Sequence, residues 1–316
     1  MISTKIRSIL AMLLAVIAAN ALGPILYADD KIKEGFATTT AGVRIHYLQS
    51  GDASSSSALV LIPGWRLPAF LWNEQLAKFA LTNRVVAIDP RSQGESTKTA
   101  DGNTPESRGR DLHEVLAQLK ISKCVLVGWS QGAQDVAAYL QQFGSDSVAG
   151  IVLVDSPVSY GPTEVDAHKE LTKAILSNVS IYANHPQEFS EGMVQSLFRK
   201  PHPDLDLASI VKSTLETPTN TGVAMLISDI FGADRRLALA KLDKPALVVA
   251  SDSSPLLDVQ KEMAASTPGA KLVVIDGTAH AVFVDDPAAF DAALQSFLQS
   301  LPGWSAAPPS NSRGEQ

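Results

Sequence analysis

Residues 124–143 read CVLVGWSQGAQDVAAYLQQF, and the prediction of the fold starts from them. The first four residues are apolar, as in a buried strand, and the residues after the second glycine have the pattern of a helix. Ser130 lies between two glycines at the junction, where small neighbours permit a turn sharp enough to expose the hydroxyl above a sheet. This context predicts that Ser130 is a nucleophile, whereas the five central residues alone also fit an ordinary glycine-rich turn.

The composition excludes some classes of function. The chain has 316 residues and a net charge of −7, without a cluster of basic residues. A nucleic-acid-binding surface needs local positive charge to neutralise phosphates, so we expect no nucleic-acid partner. With 45% hydrophobic and 19% charged residues, the chain is typical of a globular enzyme. Its length suits one large α/β domain with an insertion, or two small domains.

Residues 1–28 have the layout of a secretory signal. Two basic residues precede an apolar run over about 9–22, and small residues follow. This run is short for a helix that spans a membrane with its flanks. Cleavage after Ala21 or Ala28 would give a secreted or periplasmic protein without stable membrane association, and an uncleaved membrane anchor is the alternative.

The rest of the chain alternates between short β-branched runs and helical stretches, which predicts parallel strands joined by helices. The central runs are almost entirely apolar, as in strands covered on both faces. Strands are predicted at 43–47, 58–62, 84–89, 124–128, 150–155, 246–250 and 271–275. Helices are predicted at 72–81, 105–119, 131–143, 259–265 and 287–298.

One long interval interrupts this alternation. It contains helical stretches but no convincing strand, and about 85 residues is far more than a crossover needs. We therefore predict a helical cap over 156–242, inserted between two parts of the core at 29–155 and 243–301. The polar, proline-containing segment 302–316 is predicted to be a disordered tail.

Four short motifs carry the chemistry. Residues 61–65 read LIPGW, 89–96 read DPRSQGES, 128–132 read GWSQG and 277–280 read GTAH. With this order and spacing, the chain resembles an α/β-hydrolase over roughly residues 40–300, and it resembles most the branch of esterases and cofactor-free haloperoxidases. The resemblance implies an α/β fold with a mostly parallel eight-stranded sheet, helices on both faces and an inserted helical cap.

A serine hydroxyl is a poor nucleophile until a neighbouring base accepts its proton. His280 follows the last predicted strand, in a short loop before the last predicted helix. The family places its catalytic imidazole there. The other histidines lie in an early strand, on a helix or in the predicted cap, so we expect them to be structural or solvated. The resemblance therefore implies that Ser130 and His280 are catalytic.

The anion that forms during acyl transfer needs backbone N–H donors already in place. The residue after the nucleophile supplies one, here Gln131. The resemblance implies a second from Trp65, in the loop after the predicted strand 58–62. The family usually has His-Gly before this position, whereas this chain has Pro63 and Gly64. The backbone donor survives that change, because the side chain before the glycine is not the donor.

The acid that would orient His280 is left open by the sequence. The family's usual acid follows the strand that ends here near Ala250, but the aligned position holds Ser254. Asp252 lies two residues earlier. Asp155 ends another predicted strand, where some members of the superfamily carry their acid. Either carboxylate would orient the imidazole and stabilise its protonated form.

The predicted cap is expected to determine the substrate. Its apolar residues are candidates for an acyl or alcohol pocket, although such residues more often pack against one another. The candidates are Leu171, Ile175, Phe189, Met193, Leu197, Met225, Leu226, Ile230 and Phe231. Trp65 and Trp129 are also expected to contact the substrate.

Together, these residues predict a secreted serine hydrolase that cleaves a small, mostly apolar carboxylic ester or lactone through an acyl-serine intermediate. A serine at the turn argues against dehalogenase or epoxide hydrolase chemistry, which uses an aspartate in this family. The alternatives are perhydrolysis, cleavage of a carbon–carbon bond beside a ketone, and ligand binding without turnover on a hydrolase scaffold. The sequence contains no metal-ligand or phosphate-loop motif, so we expect neither a metal nor a cofactor.

Overall fold

The computed structural model of the chain describes residues 32–159 and 162–304. The predicted secretory signal at 1–28 lies outside the described residues, so its prediction is not addressed by the structure. Within the described part, no helix is both long and apolar enough to cross a bilayer.

The centre of the domain is an eight-stranded sheet. Its strands are β1 (Lys33–Thr38), β2 (Arg44–Ser50), β3 (Ser57–Ile62), β4 (Arg84–Ile88), β5 (Lys123–Trp129), β6 (Val148–Val154), β7 (Ala246–Ser251) and β8 (Lys271–Ile275). The strand order is β1-β2-β4-β3-β5-β6-β7-β8. β2 pairs antiparallel with β1 and β4, and the remaining pairs are parallel. The sequence missed β1 because this edge strand is largely exposed and polar, without a run of apolar residues.

Helices connect the strands, and a 3₁₀ turn at Ala69–Trp72 precedes the first of them. The described helices are α1 (Asn73–Phe79), α2 (Pro105–Gln118), α3 (Gln131–Phe143), α4 (Pro162–Ala167), α5 (Lys169–Asn184), α6 (Pro186–Ser196), α7 (Leu207–Glu216), α8 (Thr219–Phe231), α9 (Arg236–Ala240), α10 (Leu257–Ser266), α11 (Val282–Asp285) and α12 (Pro287–Ser300).

Helices cover both faces of the sheet because successive residues of a strand point to opposite sides. Leu59 and Leu61 of β3 pack in one core with α1 and α12. Val60 and Ile62 pack in the other core with α2, α3 and α10. Burying one such side chain fully contributes roughly 1.5–3 kcal/mol to folding. The predicted fold class, a mostly parallel eight-stranded α/β sheet with helices on both faces, is confirmed.

Between β6 and β7 the chain forms α4 to α9. The described part of 156–242, which leaves out residues 160 and 161, contains no strand. Val194, Leu197 and Ile210 of this segment pack in the same core as α1 and α12. We call α4 to α9 the cap helices below, and the domain boundaries stay a prediction.

The predicted disordered tail begins at residue 302, yet its first residues contact the domain. Trp304 Nε1 donates to Asn83 Oδ1 at 3.1 Å. Gly303 O accepts a hydrogen bond from Lys123 Nζ at 2.9 Å. The remaining residues, 305–316, lie outside the described part of the chain, so disorder there stays a prediction.

Candidate active site

Ser130 occupies the turn between β5 and α3 in a strained conformation. Its φ of 55° and ψ of −121° are rare for a residue with a side chain, and such strain costs on the order of 1–3 kcal/mol. The flanking glycines make the turn possible. A Cβ at Gly128 would lie 2.3 Å from Gly132 O, and a Cβ at Gly132 would lie 2.5 Å from Ile62 O. Any side chain at either position would therefore collide with backbone.

The loop after β3 lies directly against Ser130. A Cβ at Gly64 would come within 2.9 Å of Ser130 Cβ and 3.4 Å of Ser130 Oγ. Trp65, the next residue, is therefore adjacent to the serine. Gln131 is the first residue of α3, so its N–H has no acceptor within the helix. The two residues expected to supply oxyanion donors thus flank the Ser130 hydroxyl from different elements.

His280 lies in the loop between β8 and α11 and is paired with a buried carboxylate. His280 Nδ1 lies 2.8 Å from Asp155 Oδ2. Asp155 follows β6, has a φ of 47° and is only 2% exposed. Its other oxygen accepts hydrogen bonds from Ser251 N–H at 3.0 Å and Gln260 Nε2 at 3.1 Å. These contacts fix the carboxylate in its orientation towards the imidazole.

The electrostatic environment keeps Asp155 ionised. Burial alone raises the pKa of this carboxyl, but the hydrogen bond and charge of His280 and the donors at Ser251 and Gln260 outweigh burial, so the pKa is lowered overall. Gln260 was not singled out in the sequence. It is a fully buried residue of α10, and a lone glutamine in a helical stretch carries no signal for this role.

Asp252, the other candidate acid, is exposed and contacts the backbone of the loop that precedes His280. Its Oδ1 accepts a hydrogen bond from Thr278 N–H at 3.3 Å, and backbone donors at Gly277 and Thr278 lower its pKa. Asp252 therefore braces the loop that leads to His280. The structure brings Ser130, His280 and Asp155 to one cavity, and Asp252 is not among the residues that line it.

Trp129 does not have the position expected of it. The sequence predicts a substrate contact, but the indole is fully buried and is not among the residues that line the cavity. At the end of β5 it points into an aromatic core, where its ring lies 4.9 Å from that of Phe283. Its Nε1–H donates to His280 O at 2.8 Å. Trp129 therefore anchors the main chain of His280 from the core side.

A cavity of about 460 Å³ opens over Ser130 and His280. Apart from Asp155 and His280, no ionisable side chain lines it. Trp65 and several of the expected cap residues contribute: Ile175, Phe189, Met193, Leu197 and Leu226. The exposed polar side chains of Asn178 and Ser196 also lie on it.

The other expected cap residues lie elsewhere. Met225 and Ile230 are buried and are absent from the cavity lining, and Phe231 is exposed at the end of α8. The side chain of Leu171 lies outside the described part of the structure. Across the described residues, no group of three or more His, Cys, Asp or Glu side chains is arranged to hold a metal ion.

The chain is similar in sequence to several known enzymes. The model of the alpha/beta hydrolase family matches residues 59–293. A non-heme chloroperoxidase from Kitasatospora aureofaciens is 28% identical over 278 residues, which cover 83% of this chain and 98% of that protein. A bifunctional esterase/perhydrolase from Acinetobacter calcoaceticus is 33% identical over 123 residues, or 39% of this chain and 44% of that protein.

Solved structures of an esterase and a haloperoxidase are similar to this one in fold. An esterase from Rhodococcus sp. ECU1013 has a TM-score of 0.74 and 26% identity, covering 85% of this chain and 99% of that one. A bromoperoxidase from Bacillus anthracis, at 23% identity, has a TM-score of 0.75 and covers 85% of this chain and 100% of that one. The resemblance identified in the sequence is confirmed. The chain belongs to the alpha/beta hydrolase family, and it is a hydrolase of the esterase and haloperoxidase type.

Proposed function

We propose that the protein is a serine hydrolase that cleaves small, uncharged, mostly apolar carboxylic esters or lactones through an acyl-serine intermediate. The observation that carries the proposal is the 2.8 Å contact between His280 Nδ1 and Asp155 Oδ2, at the cavity that also exposes Ser130. A nucleophile on a strained turn, an imidazole and a buried carboxylate are the three groups that acyl transfer requires.

The ionised state of Asp155 determines which nitrogen of His280 carries a proton. An ionised carboxylate can only accept hydrogen bonds, so Nδ1 of His280 carries a proton and donates a hydrogen bond to Oδ2. The Nε2 nitrogen then has a free lone pair and acts as the base for the Ser130 hydroxyl. As His280 becomes positively charged, Asp155 stabilises it without itself taking the proton.

In the first step, Ser130 Oγ attacks the ester carbonyl and transfers its proton to His280. The backbone N–H groups of Trp65 and Gln131 stabilise the resulting oxyanion. His280 then protonates the departing alcohol, which leaves the acyl group on Ser130. Water attacks this acyl-enzyme with His280 again as base, and the acid is released.

The lining of the cavity favours a substrate with an uncharged acyl group. Its walls are built from apolar side chains such as Ile175, Phe189 and Leu226, and no cation other than a protonated His280 lines it. A carboxylate on the acyl group would lose its hydration without gaining a partner, which is costly. Two of the similar solved structures are named as esterases, which agrees with an ester substrate.

Perhydrolysis is a second candidate, favoured by the similarity to a bifunctional esterase/perhydrolase and to chloroperoxidases. In that reaction hydrogen peroxide replaces water as the group that attacks the acyl-enzyme, and a peracid is released. The same three side chains would serve both reactions. Product analysis with and without peroxide distinguishes them.

We further propose that residues 1–28 are removed on export, on the basis of their charge and hydropathy pattern. Mass spectrometry of the protein recovered from the periplasm or the medium would give its first residue. A protein retained in the cytoplasm with Met1 intact would contradict this.

The test of the proposed function is hydrolysis of p-nitrophenyl butyrate by the wild type and by Ser130→Ala. We expect turnover by the wild type and a loss of at least about 10³-fold in the variant. Equal activity of the two proteins would refute the proposed nucleophile.

A further inference from the structure

The two residues proposed to supply oxyanion donors are both tied to the same cap helix. Trp65 Nε1–H donates to the carbonyl oxygen of Gly222 at 3.0 Å. Gln131 Nε2 donates to the carboxylate of Asp229. Both acceptors belong to α8. Each of these hydrogen bonds uses a side-chain donor, so the backbone N–H of Trp65 and of Gln131 can face the reacting carbonyl.

The same face of α8 also contacts the substrate cavity. Gly222, Leu226 and Asp229 are spaced four and three residues apart, so they lie along one side of the helix. Leu226 lines the cavity. An acyl group against Leu226 would therefore contact a helix that is bonded at both ends of this stretch to the elements around Ser130.

Both hydrogen bonds to α8 are buried. Gln131, Asp229 and Trp65 are 3%, 5% and 9% exposed, so water does not compete for their hydrogen bonds. Gly222 also lets α8 pack against Tyr182, whose ring lies 5.1 Å from that of Trp65, because a Cβ at Gly222 would lie 2.5 Å from Tyr182 Oη. A hydrogen bond to a buried carboxylate is among the stronger ones in proteins.

Asp229 is itself held in place by a buried arginine. Arg108 Nη2 donates to Asp229 Oδ1 at 3.1 Å, and Arg108 Nε donates to Asp135 Oδ1 at 2.8 Å. Asp135 lies on α3 with Gln131, and its Oδ2 has no hydrogen-bond partner among the described residues. We call Arg108, Asp135 and Asp229 the buried charge cluster. Asp229 and Asp135 are both buried and share one arginine, but of the two, Asp229 holds the Gln131 side chain.

We propose that α8 positions the oxyanion hole, with Asp229 as the positioning residue for Gln131 and the Gly222 carbonyl as that for Trp65. This inference rests on the proposed function, because it concerns the same reaction. It assigns the cap helices a role in transition-state stabilisation in addition to forming the walls of the cavity. The acyl group and the oxyanion are then linked through one rigid helix.

The experiment compares Gln131→Met with Gln75→Met, using Ser130→Ala as the blank. Gln131→Met keeps the backbone N–H and the side-chain volume but removes the hydrogen bond to Asp229. Gln75→Met makes the same change at another fully buried glutamine, whose Nε2 donates to Asp291 Oδ1 and Phe283 O, both at 3.3 Å, and not to α8. The measurements are kcat and KM for p-nitrophenyl butyrate, the inhibition constant of an alkyl trifluoromethyl ketone, and Tm.

A displaced backbone N–H donor destabilises the transition state and the oxyanion adduct of the ketone, but not the ground-state complex. We expect Gln131→Met to lower kcat about tenfold, less than the loss of a whole oxyanion donor. Ketone affinity falls by a similar factor and KM changes little. Gln75→Met lowers Tm while kcat stays within about twofold, because it changes no hydrogen bond of Gln131 or α8.

Trp65→Phe provides an independent variant should Gln131→Met not fold, since it removes the hydrogen bond to Gly222 and keeps a smaller aromatic ring on the cavity wall. It is expected to lower kcat and ketone affinity together. A wild type without Ser130-dependent turnover would overturn both the proposed function and this inference. Ser130-dependent turnover with kcat unchanged in Gln131→Met, or lowered equally in Gln75→Met, would overturn the inference alone.

Discussion

Asp155 and His280 lie 125 residues apart in the chain, and Asp155 Oδ2 lies 2.8 Å from His280 Nδ1. The sheet explains the contact. β6 and β8 are both parallel neighbours of β7, so the residues that follow them emerge at the same edge. The left-handed conformation of Asp155, with a φ of 47°, is part of the turn that directs its carboxylate across the end of β7.

Replacing Asp155 by asparagine tests this relationship. The amide cannot hold His280 in the required tautomer or stabilise its positive charge, so we expect kcat to fall on the order of 10³–10⁴-fold. Asp252→Asn is the matched control. Its carboxylate braces an exposed loop, so its kcat should remain within about threefold of the wild type. Steady-state kinetics on p-nitrophenyl butyrate measures both, and the reverse ranking would make Asp252 the acid.

Trp129→Phe tests the anchor beneath the imidazole. The variant leaves His280 O without its donor, so we expect a loss of about 1–3 kcal/mol in the free energy of unfolding, together with a fall in kcat. Trp72→Phe is a suitable control, because Trp72 is equally buried beside Trp129 but its Nε1 has no hydrogen-bond partner among the described residues. The control should lose stability without losing kcat. Equal kcat in both variants would refute the anchoring role.

The buried charge cluster makes stability depend on pH. Burial raises the pKa of Asp135 to about 7, although Arg108 partly offsets the effect. Between about pH 4 and pH 7, the unfolded chain carries an ionised Asp135 while the folded protein keeps the proton. The contribution of this group to the free energy of unfolding therefore falls as the pH rises through that window, and it is constant above and below.

Asp135→Asn removes this dependence. Measured by urea unfolding, the stability of the variant relative to the wild type should improve from pH 4 to pH 7, by an amount on the order of a few kcal/mol. A difference between the two proteins that stays constant over this range would show that Asp135 ionises in the folded state as it does in the unfolded chain.

Esters with charged and uncharged acyl groups test whether the cavity accepts a negative charge. The lining contains no cation apart from a protonated His280, so an acyl carboxylate would be desolvated without compensation. We expect kcat/KM for p-nitrophenyl butyrate to exceed that for mono-p-nitrophenyl succinate by at least about tenfold. Comparable values for the two esters would indicate that a positively charged group reaches the substrate.

Much of the fold could be predicted from the sequence, because the central strands are apolar on both faces and the serine turn has a distinctive pattern. Ser130 and His280 were identified from their settings between a strand and a helix. The choice between Asp155 and Asp252 was not possible, since it depends on loop paths that local sequence does not specify. The edge strand β1 was missed because its exposed residues lack an apolar pattern.

Side-chain direction at the ends of strands was harder to predict. Trp65 follows β3 and Trp129 ends β5, but Trp65 lines the cavity while Trp129 points into the core. The buried charge cluster gave no signal either. Arg108 and Asp135 lie on two helices and resemble ordinary surface residues until α8 covers them. Such contacts between distant elements are visible only in the folded structure.

Covalent labelling by a fluorophosphonate is the most direct measurement of the central claim, that Ser130 is a nucleophile activated by His280. The protein would be treated with the reagent, digested and mapped by mass spectrometry, beside His280→Ala. We expect one label per chain, on Ser130, and strongly reduced labelling in the variant because the base is missing. Labelling of another cavity serine such as Ser253 or Ser254, or no labelling of a protein that still hydrolyses esters, would contradict the account.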